Sequence, residues 1–356
     1  MSQKRHVLVA MSGGVDSSVA AALMLEEGFA VTGIMLNLWS DPTCETQNAC
    51  CTPEAQRLAK TTANQLRIPF YVIDAKTIFY KEVVQYFVKS HEQGVTPNPC
   101  WVCNVKVKWN VLLEQLNYFA ADFLATGHYA KLTQDKINIF HLCIAEDKKK
   151  DQSYVLSGLT QNELSRTIFP LGELTKNQVR ENALHYGLDT AERHESQDLC
   201  FLGPKSPEQF LKELQVGDNR EGDIVDSKGN ILGHHDGLPS YTIGQRKGIK
   251  IAAAEPYYVI RKEVGTNKLI ISHKSELGAK NFIVTNLNWI LGREPEMPGT
   301  VQLQIRYHAK KVEATINRSK EGKIEVASSV LLRDITPGQI AVFYTGEEVV
   351  GSGIIQ

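Results

Sequence analysis

A serine- and glycine-rich segment near the N-terminus has the composition of a phosphate-binding loop. Ser12-Gly13-Gly14-Val15-Asp16-Ser17-Ser18 follows an apolar run that predicts a buried strand (residues 6–11) and opens a pattern that predicts an amphipathic helix (residues 15–27). Two glycines let the backbone approach a phosphate closely, and the N–H groups and dipole of a helix N-terminus attract the anion. The serines add hydroxyl donors, while Asp16 either orients the loop or helps to hold Mg²⁺.

This loop is not a Walker A motif, because the G-x-x-x-x-G-K-[ST] spacing and its lysine are missing. It resembles the PP-loop of the N-type ATP pyrophosphatases, which cleave ATP between the α- and β-phosphates and leave AMP. The resemblance implies adenylation chemistry, in which a substrate oxygen attacks the α-phosphate and becomes a good leaving group.

Cysteine is the second residue type whose placement suggests chemistry. Cys100 and Cys103 lie in a proline-rich segment, and Cys200 lies about a hundred residues further on. Two thiols in separate, distinctive segments, Cys103 and Cys200, suit sulfur transfer: one carries a persulfide and the other closes a disulfide as the sulfur leaves. A four-cysteine zinc knuckle is not expected, because the chain has a single CxxC pair.

Strands and helices that could position these residues alternate through the first half of the chain. Strands are predicted at residues 6–11, 31–36, 70–73 and 123–126, and helices at residues 15–27, 53–66, 78–92 and 109–119. This alternation is typical of βαβ units, which form a parallel sheet with helices on both faces.

The pattern changes to β after about residue 200. Strands are predicted at residues 257–261, 269–272, 282–287, 301–305, 312–316, 323–326 and 340–344. The fold class is therefore α/β, with a parallel-sheet PP-loop (adenine nucleotide α-hydrolase-like) domain at residues 1–204. A small β-rich central domain is expected at residues 205–278, and a C-terminal β-barrel at residues 279–356.

Composition limits the function classes. The 356 residues are 42% hydrophobic and 22% charged, which fits two or three globular domains and argues against disorder. No segment reads as a signal peptide or a membrane span, so a cytoplasmic protein without a membrane partner is expected. A net charge of −1 does not indicate nucleic acid, but local clusters do: Lys148-Lys149-Lys150, Arg246-Lys247 and residues 306–311, where aromatic rings accompany the cations.

A combination of motifs spread over the whole chain resembles the tRNA-uridine 2-sulfurtransferases (2-thiouridylases). Besides the PP-loop, the motifs are the T-P-N-P-x-x-x-C-N segment at residues 96–104, Ala125-Thr126-Gly127-His128-Tyr129, Lys150-Asp151-Gln152-Ser153-Tyr154, the segment around Cys200, Thr242-Ile243-Gly244-Gln245-Arg246-Lys247-Gly248 and Thr336-Pro337-Gly338-Gln339. The resemblance implies that the enzyme acts on uridine 34 of lysine, glutamate and glutamine tRNAs. It also implies a sulfur donor, such as a cysteine desulfurase or a sulfur-relay protein.

The same resemblance assigns residues to roles. The ATP site would be lined by Ala10, Met11, Ser12, Gly13, Gly14, Val15, Asp16, Ser17, Leu36 and Gly127. Contacts with tRNA or its target base would come from Asn98, Pro99, Cys100, His128, Lys150, Asp151, Gln152, Arg306, Tyr307 and Gln339. Cys200 would be the persulfide carrier and Cys103 the nucleophile, which either attacks the persulfide to release sulfide or resolves the intermediate as a Cys103–Cys200 disulfide. ATP with Mg²⁺ would serve the adenylation.

Cys100 departs from the family pattern, which usually has an aspartate there that acts as acid or base. The thiol then serves as a substitute proton carrier, a spare resolving thiol or a metal ligand. In the last case Cys100, Cys103 and Cys200 would bind a [4Fe–4S] cluster, whose open iron holds sulfide, or a zinc ion. These alternatives stay open at the level of sequence.

Two rival functions use the same loop. An ATP-dependent amide-forming synthetase would leave the cysteine segments and the C-terminal β domain unexplained. A non-catalytic RNA-binding protein would not need an intact PP-loop. Cys44, Cys50 and Cys51 lie in a polar stretch that reads as a surface loop, where they either form a local metal site or have no chemical role.

Overall fold

The computed structural model describes residues 4–39, 52–191, 199–214 and 221–356. Cys44, Cys50 and Cys51 lie outside the described residues. In the described parts the strands are β1 (His6–Ala10), β2 (Ala30–Asn37), β3 (Phe70–Asp74), β4 (Phe123–Thr126), β5 (Lys131–Gln134), β6 (Phe140–Cys143), β7 (Thr167–Ile168), β8 (Gly222–Val225), β9 (Ile231–His235), β10 (Tyr257–Glu263), β11 (Lys268–His273), β12 (Ala279–Trp289), β13 (Gly299–Gln304), β14 (Val312–Arg318), β15 (Ile324–Leu332), β16 (Ile340–Thr345) and β17 (Glu348–Ile355).

The α-helices of the same parts are mostly short. They are α1 (Val15–Glu26), α2 (Pro53–Gln65), α3 (Lys76–Phe79), α4 (Gln85–Glu92), α5 (Pro99–Val102), α6 (Trp109–Tyr118), α7 (Ser153–Leu156), α8 (Gln161–Leu164), α9 (Lys176–His185) and α10 (Pro207–Glu213). π-helical turns at Tyr80–Val84 and Cys103–Lys108 join α3 to α4 and α5 to α6. None of these helices is long and apolar enough to cross a lipid bilayer.

The first sheet is parallel and has the strand order β3-β2-β1-β4-β7. The strand order reverses direction at β1, because β2 lies on one side of β1 and β4 on the other. In open α/β sheets, ligands bind at such a reversal, beyond the carboxyl ends of the strands. The predicted parallel sheet is confirmed, and its reversal point is where the serine- and glycine-rich loop begins.

Alternation along β1 explains why both faces of this sheet are covered. Val7 and Val9 point into a core that they share with α1, α2 and α9, whereas Leu8 points into a core formed with the helical segments Lys76–Glu92 and Pro99–Tyr118. All three side chains are fully buried. A strand that is buried on both faces reads as a continuous apolar run, and this is why β1 was recognisable.

Beyond α10, the described part of the chain is mainly β, as predicted. A four-stranded sheet of order β10-β11-β8-β9 encloses a small core that includes Ile224, Val259 and Ile271. Six further strands, β12-β15-β14-β13-β16-β17, close into a barrel because β12 also pairs with β17. Closure removes the exposed edges that an open sheet of this size would carry.

Of the strands that were not predicted from the sequence, β5 and β6 form a hairpin that links two domains. Strands β5 and β6 belong to the first half of the chain, yet β6 pairs with β17 of the barrel at Cys143 and Glu348. The Gln161 side chain secures this junction, because its Nε2 donates to Phe140 O and Ile290 O, both at 2.7 Å. Each strand of the hairpin has only four residues and most of them are half-exposed or exposed, and a run this short does not distinguish a strand from other structure.

Candidate active site

The serine- and glycine-rich loop is held in shape by its own hydrogen bonds. Gly13 has a φ of +74°, a backbone conformation that side chains disfavour. The Ser12 N–H donates to Ser17 Oγ at 3.1 Å, and Ser17 Oγ donates to Gly14 O at 3.0 Å. Helix α1 starts at Val15 with Gly14 as its N-cap and no side chain capping it. The first N–H groups of α1 therefore face a loop that is already formed, as anion binding requires.

Ser18 differs from the other serines of the loop. It is fully buried, its hydroxyl donates to Gly14 O at 3.0 Å, and Thr62 Oγ1 lies 3.4 Å away. The sequence predicted a hydroxyl donor to phosphate for each serine of the loop. For Ser18 that prediction is wrong, because its hydroxyl is turned into the protein to fix α1 against α2.

Asp16, which is half-buried, forms an ion pair with a buried lysine that sequence reasoning missed. The Lys176 Nζ donates to both carboxylate oxygens of Asp16, at 2.7 and 2.8 Å, and the Tyr129 hydroxyl donates to Oδ1 at 2.6 Å. The Lys176 side chain is only 9% exposed. Of the two sequence-based roles for Asp16, orientation of the loop fits this arrangement. Because its carboxylate is already shared by a cation and a phenol, it does not fit a Mg²⁺ site here.

A sequence signal for Lys176 does exist. Thr175 and Gln178 form a capping box at the start of α9, and Lys176 is the first residue inside that helix. The T-x-x-Q pattern predicts a helix start, which places Lys176 at a helix N-terminus. Nothing in the local sequence shows that this terminus lies beside α1, since Asp16 is 160 residues away.

Gly127 brings the end of β4 against the start of α1. A Cβ at this position would lie 2.7 Å from Ser17 N and 2.8 Å from Asp16 C, which are backbone atoms that cannot yield cheaply. Gly127 follows β4, the strand on the other side of the reversal from β2. The predicted ATP-site residues Ala10, Ser12–Ser17 and Gly127 therefore converge at one edge of the sheet, and Leu36, near the end of β2, lies along the same edge.

The segment of residues 95–104, which we call the thiol-bearing loop, contains Cys100 and Cys103 and leads into a helical segment. The Asn98 side chain caps α5 by accepting from the Trp101 N–H at 3.1 Å, and Pro99 occupies the first helical position. Cys100 is exposed, and Cys103, one turn on, is buried. Cys103 opens the π-turn Cys103–Lys108, a rare distortion that recurs at functional sites.

Cys200 belongs to the same apolar cluster as Cys103. Cys103 is a buried member of this cluster and Cys200 is packed against it, as are Ala10 and Leu36 from the ends of β1 and β2. Phe201 anchors the Cys200 segment, with its ring centroid 5.3 Å from that of Phe87 and 5.4 Å from that of Phe210. The two predicted sulfur-handling thiols and two predicted ATP-lining residues thus share one cluster.

The three cysteines proposed as cluster ligands do not form a metal site as they are placed. In the parts of the chain that the structure describes, no three His, Cys, Asp or Glu side chains come together as ligands of one ion would. Cys100 is exposed, Cys103 is buried and Cys200 is half-buried. This arrangement does not fit a [4Fe–4S] cluster or a zinc ion, both of which require their thiolates to converge.

Two of the predicted tRNA contacts organise the protein itself. Asp151 accepts from the Ala145 N–H at 2.9 Å and from the Ser153 hydroxyl at 2.7 Å. Gln152 exchanges two hydrogen bonds with the backbone of Tyr129, whose hydroxyl contacts Asp16. Through Tyr129, this segment is therefore connected to Asp16 of the nucleotide loop. The neighbouring Lys150 is half-buried.

His128 is the third predicted contact near the nucleotide loop. Its Nδ1 lies 2.9 Å from Thr126 Oγ1, and its ring packs against Trp109 and Phe169. Burial, assisted by the nearby Lys108, lowers the pKa of His128 to about 3. The ring is therefore neutral at physiological pH, so any RNA contact would use its hydrogen-bonding groups rather than a positive charge.

The remaining predicted contacts lie on the barrel. Arg306 donates to Thr336 Oγ1 at 2.8 Å, and Tyr307 is 40% exposed with its ring beside those of Tyr154 and His308. Gln339 lies against the loop that contains Asn98 and Pro99. Gln339 thus contacts the thiol-bearing loop, whereas Arg306 bonds to Thr336 and Tyr307 packs beside Tyr154 and His308.

Fold and site together define an adenine-nucleotide-binding α/β protein of the PP-loop class with two appended β domains. Models of three domain families match the chain: a tRNA methyl transferase HUP domain at residues 5–204, a tRNA methyl transferase PRC-barrel domain at residues 208–273 and an aminomethyltransferase beta-barrel domain at residues 279–355.

Full-length relatives identify the family within this class. The chain is 43% identical to the tRNA-specific 2-thiouridylase MnmA of Carboxydothermus hydrogenoformans, over 99% of this chain and 98% of the relative. It is 41% identical to the protein of the same name from Acetivibrio thermocellus, over 99% of each. The chain therefore belongs to the tRNA-specific 2-thiouridylase MnmA family.

Proposed function

We propose that the chain replaces the 2-oxygen of uridine 34 in lysine, glutamate and glutamine tRNAs with sulfur, at the expense of ATP. One observation carries the proposal. Cys103 and Cys200 belong to an apolar core that also takes in Ala10, the last residue of β1, and Leu36, next to the last residue of β2. The groups for adenylation and for sulfur delivery would therefore be carried by one packed core, as a base that is first activated and then thiolated requires.

The nucleotide loop would perform the first half of the reaction. The uridine 2-oxygen attacks the α-phosphorus of ATP, the bond between the α-phosphate and its leaving oxygen breaks, and pyrophosphate departs. The N–H groups at the start of α1 and the glycines of the loop bind the phosphates. The Lys176 ammonium, beside Asp16, supplies the cation that offsets the negative charge growing on pyrophosphate.

The thiols would perform the second half. The terminal sulfur of a Cys200 persulfide attacks C2 of the adenylated uridine, and AMP leaves with the former 2-oxygen. The Cys103 thiolate then attacks the Cys200 sulfur, which breaks the bond to the transferred sulfur, releases 2-thiouridine and forms a Cys103–Cys200 disulfide. An external thiol reductant must supply two electrons per turnover to restore both thiols. A cysteine desulfurase or a sulfur-relay protein reloads Cys200.

Cys100 is exposed beside the Asn98 cap, in the position where the family usually has an aspartate. We assign it to proton transfer at the target base rather than to sulfur transport. Membership of Cys103 and Cys200 in one apolar cluster supports the persulfide route, which needs only these two thiols.

The reaction can be tested by reconstitution. The purified protein is incubated anaerobically with ATP, a reductant, unmodified lysine tRNA and a persulfide donor, and the digested tRNA is analysed by nucleoside mass spectrometry. We expect 2-thiouridine at position 34, with one AMP and one pyrophosphate per thiouridine. A parallel sample without ATP should contain none.

Iron and acid-labile sulfide are measured on the same preparation. Iron-free protein that thiolates tRNA supports the persulfide route, whereas activity that depends on about four irons per chain overturns it in favour of a cluster. Pyrophosphate release that depends on ammonia or glutamine, with no thiouridine, would instead favour an amide-forming synthetase.

A further inference from the structure

We infer that Gln339 of the C-terminal barrel is a positioning residue that holds the thiol-bearing loop in its working conformation. The inference rests on the proposed function, because it assigns the barrel a part in the reaction of that same site. It goes beyond the tRNA contact that the family resemblance implies for Gln339. The contacts concerned join residues 96–98 to the turn Thr336–Gln339, which we call the barrel turn.

The Gln339 side chain is bonded to three successive residues of the loop. Its Nε2 donates to Thr96 O at 3.1 Å and to Pro97 O at 2.9 Å, and its Oε1 lies 3.5 Å from Asn98 Nδ2. A primary amide has two N–H donors, and here both point at loop carbonyls. Asn98 is the residue that caps α5. Gln339 therefore contacts the cap of the helix that carries Cys100 and leads to Cys103, together with the two residues before it.

Backbone contacts bring the barrel turn into place. The Thr96 N–H donates to Pro337 O at 3.0 Å. A Cβ on Gly338 would lie 2.6 Å from Val95 Cγ1 and 2.8 Å from Thr96 O, and Gly338 has a φ of +92°. Both the contact distance and the backbone conformation thus require glycine at this position. The two segments approach each other as closely as packed backbones allow.

The barrel turn is itself fixed from both sides. Gly338 N donates to Ile355 O and Ile355 N donates to Gln339 O, both at 2.9 Å, which ties the turn to the last strand. The hydroxyl of Tyr154 donates to Ile340 O at 2.7 Å. Because the backbone on either side of Gln339 is already fixed, little conformational entropy is lost when its side chain bonds to the loop. Its hydrogen bonds therefore restrain the loop efficiently.

The barrel turn also connects with the central domain. Arg306 donates to Thr336 Oγ1 at 2.8 Å and to Ile243 O at 3.4 Å, and Asp334 lies 4.0 Å from its guanidinium. The barrel turn therefore connects the thiol-bearing loop, the barrel and the central-domain loop that follows Tyr241. Because Arg306 and Gln339 are only half-buried, RNA that docks on this surface would touch the same residues that restrain Cys100 and Cys103.

The test compares Gln339→Ala with Gln161→Ala. Gln161 is a matched control, because its Nε2 also donates to two carbonyls: Phe140 O in the first domain and Ile290 O in the barrel, away from the thiol-bearing loop. Amide hydrogen exchange is measured on the full-length protein over residues 95–104, without RNA or ATP. Thiolation kcat and the Kd for tRNA are measured on the same variants, and Gln339→Glu is added because it keeps the size but loses both donors.

We expect faster exchange over residues 95–104 in Gln339→Ala and Gln339→Glu but not in Gln161→Ala. Since misplacing a reacting group by about 1 Å costs up to about 100-fold in rate, we expect kcat to fall roughly tenfold or more while the Kd for tRNA stays within about threefold. An unchanged exchange rate with a raised Kd and an unaltered kcat would overturn the inference and leave Gln339 as an RNA contact. The exchange measurement needs no turnover, so it decides the inference even if the proposed thiolation never appears.

Discussion

The nucleotide end and the thiol end of the candidate active site depend on different parts of the chain. The nucleotide loop is closed by Ser12, Gly14 and Ser17, and its Asp16 is held by Lys176, which also lies before the two β domains. The thiol-bearing loop is held in addition by Gln339 of the C-terminal barrel, 243 residues from Thr96. The first end is therefore formed within the first domain, whereas the second also uses the barrel.

This difference suggests a division of labour. A phosphate site must present fixed N–H groups, so a rigid local loop serves it well. A loop that admits a base from an RNA gains from being restrained by the domains that the RNA would contact, because docking and restraint then use the same surface. The nucleotide end should therefore tolerate changes in the barrel, and the thiol end should respond to them.

The largest expected effect is at the thiol end. Cys103→Ser should lower tRNA thiolation by at least about 100-fold, because a hydroxyl cannot resolve the persulfide. Release of pyrophosphate in the presence of tRNA should persist, since the nucleotide loop is untouched. Cys143→Ser is the matched control: Cys143 lies in β6 at the junction with the barrel, so its loss should leave both measurements unchanged. Equal loss of both activities in Cys103→Ser would show that the two ends are not separable.

Lys176→Met comes next and acts at the nucleotide end. It leaves Asp16 as a half-buried carboxylate without its cation, which should lower the free energy of unfolding by about 3 kcal/mol. Adding Asp16→Asn should recover most of that stability, because the lone charge is gone. Pyrophosphate release should stay low in the double variant, since the cation is still missing. Urea denaturation and a pyrophosphate assay measure the two effects, and recovery of activity in the double variant would contradict the role assigned to Lys176.

Gly127→Ala should have a smaller but still clear effect. The added Cβ would lie 2.7 Å from Ser17 N, so the start of α1 must shift and the phosphate site with it. We expect the Kd for ATP, measured by calorimetry, to rise about tenfold, because N–H groups aimed at an anion lose strength steeply with misalignment. Gly265→Ala is the control, because a Cβ there meets nothing within 4 Å. ATP binding at the wild-type level in Gly127→Ala would mean that the phosphate groups do not rest on this turn.

The smallest predicted effect concerns the hairpin junction and depends on pH. Hydrogen bonding to Glu348, with a further contribution from Asp135, raises the pKa of His141. A raised folded-state pKa stabilises the protein below the ordinary histidine value of about 6.5, and this stabilisation is lost as the pH rises through the raised value. His141→Gln should therefore reduce the stability difference between pH 6 and pH 9 by less than about 1 kcal/mol. Urea denaturation at both pH values measures this, and an unchanged difference would contradict the assignment.

Sequence patterns predicted what is locally encoded. The buried strand β1, the glycine-rich turn and α1 follow from an apolar run, φ-tolerant residues and a helical pattern that are contiguous in the chain. Resemblance supplied Cys103, Cys200 and Gln339 as residues of interest, but not their contacts. The Lys176–Asp16 pair, the contacts of Gln339 with the thiol-bearing loop and the pairing of β6 with β17 join segments more than a hundred residues apart. Such pairings are decided by the folded topology, and one sequence carries no local trace of them.

The central claim is that the nucleotide loop activates the target uridine through its 2-oxygen, and an isotope label tests it directly. A tRNA carrying ¹⁸O at O2 of uridine 34 is incubated with the protein, unlabelled ATP and a persulfide donor, and the released AMP is analysed by mass spectrometry. The account predicts one ¹⁸O atom in each AMP formed together with 2-thiouridine. Unlabelled AMP, with the ¹⁸O found in water or retained in the tRNA, would contradict it.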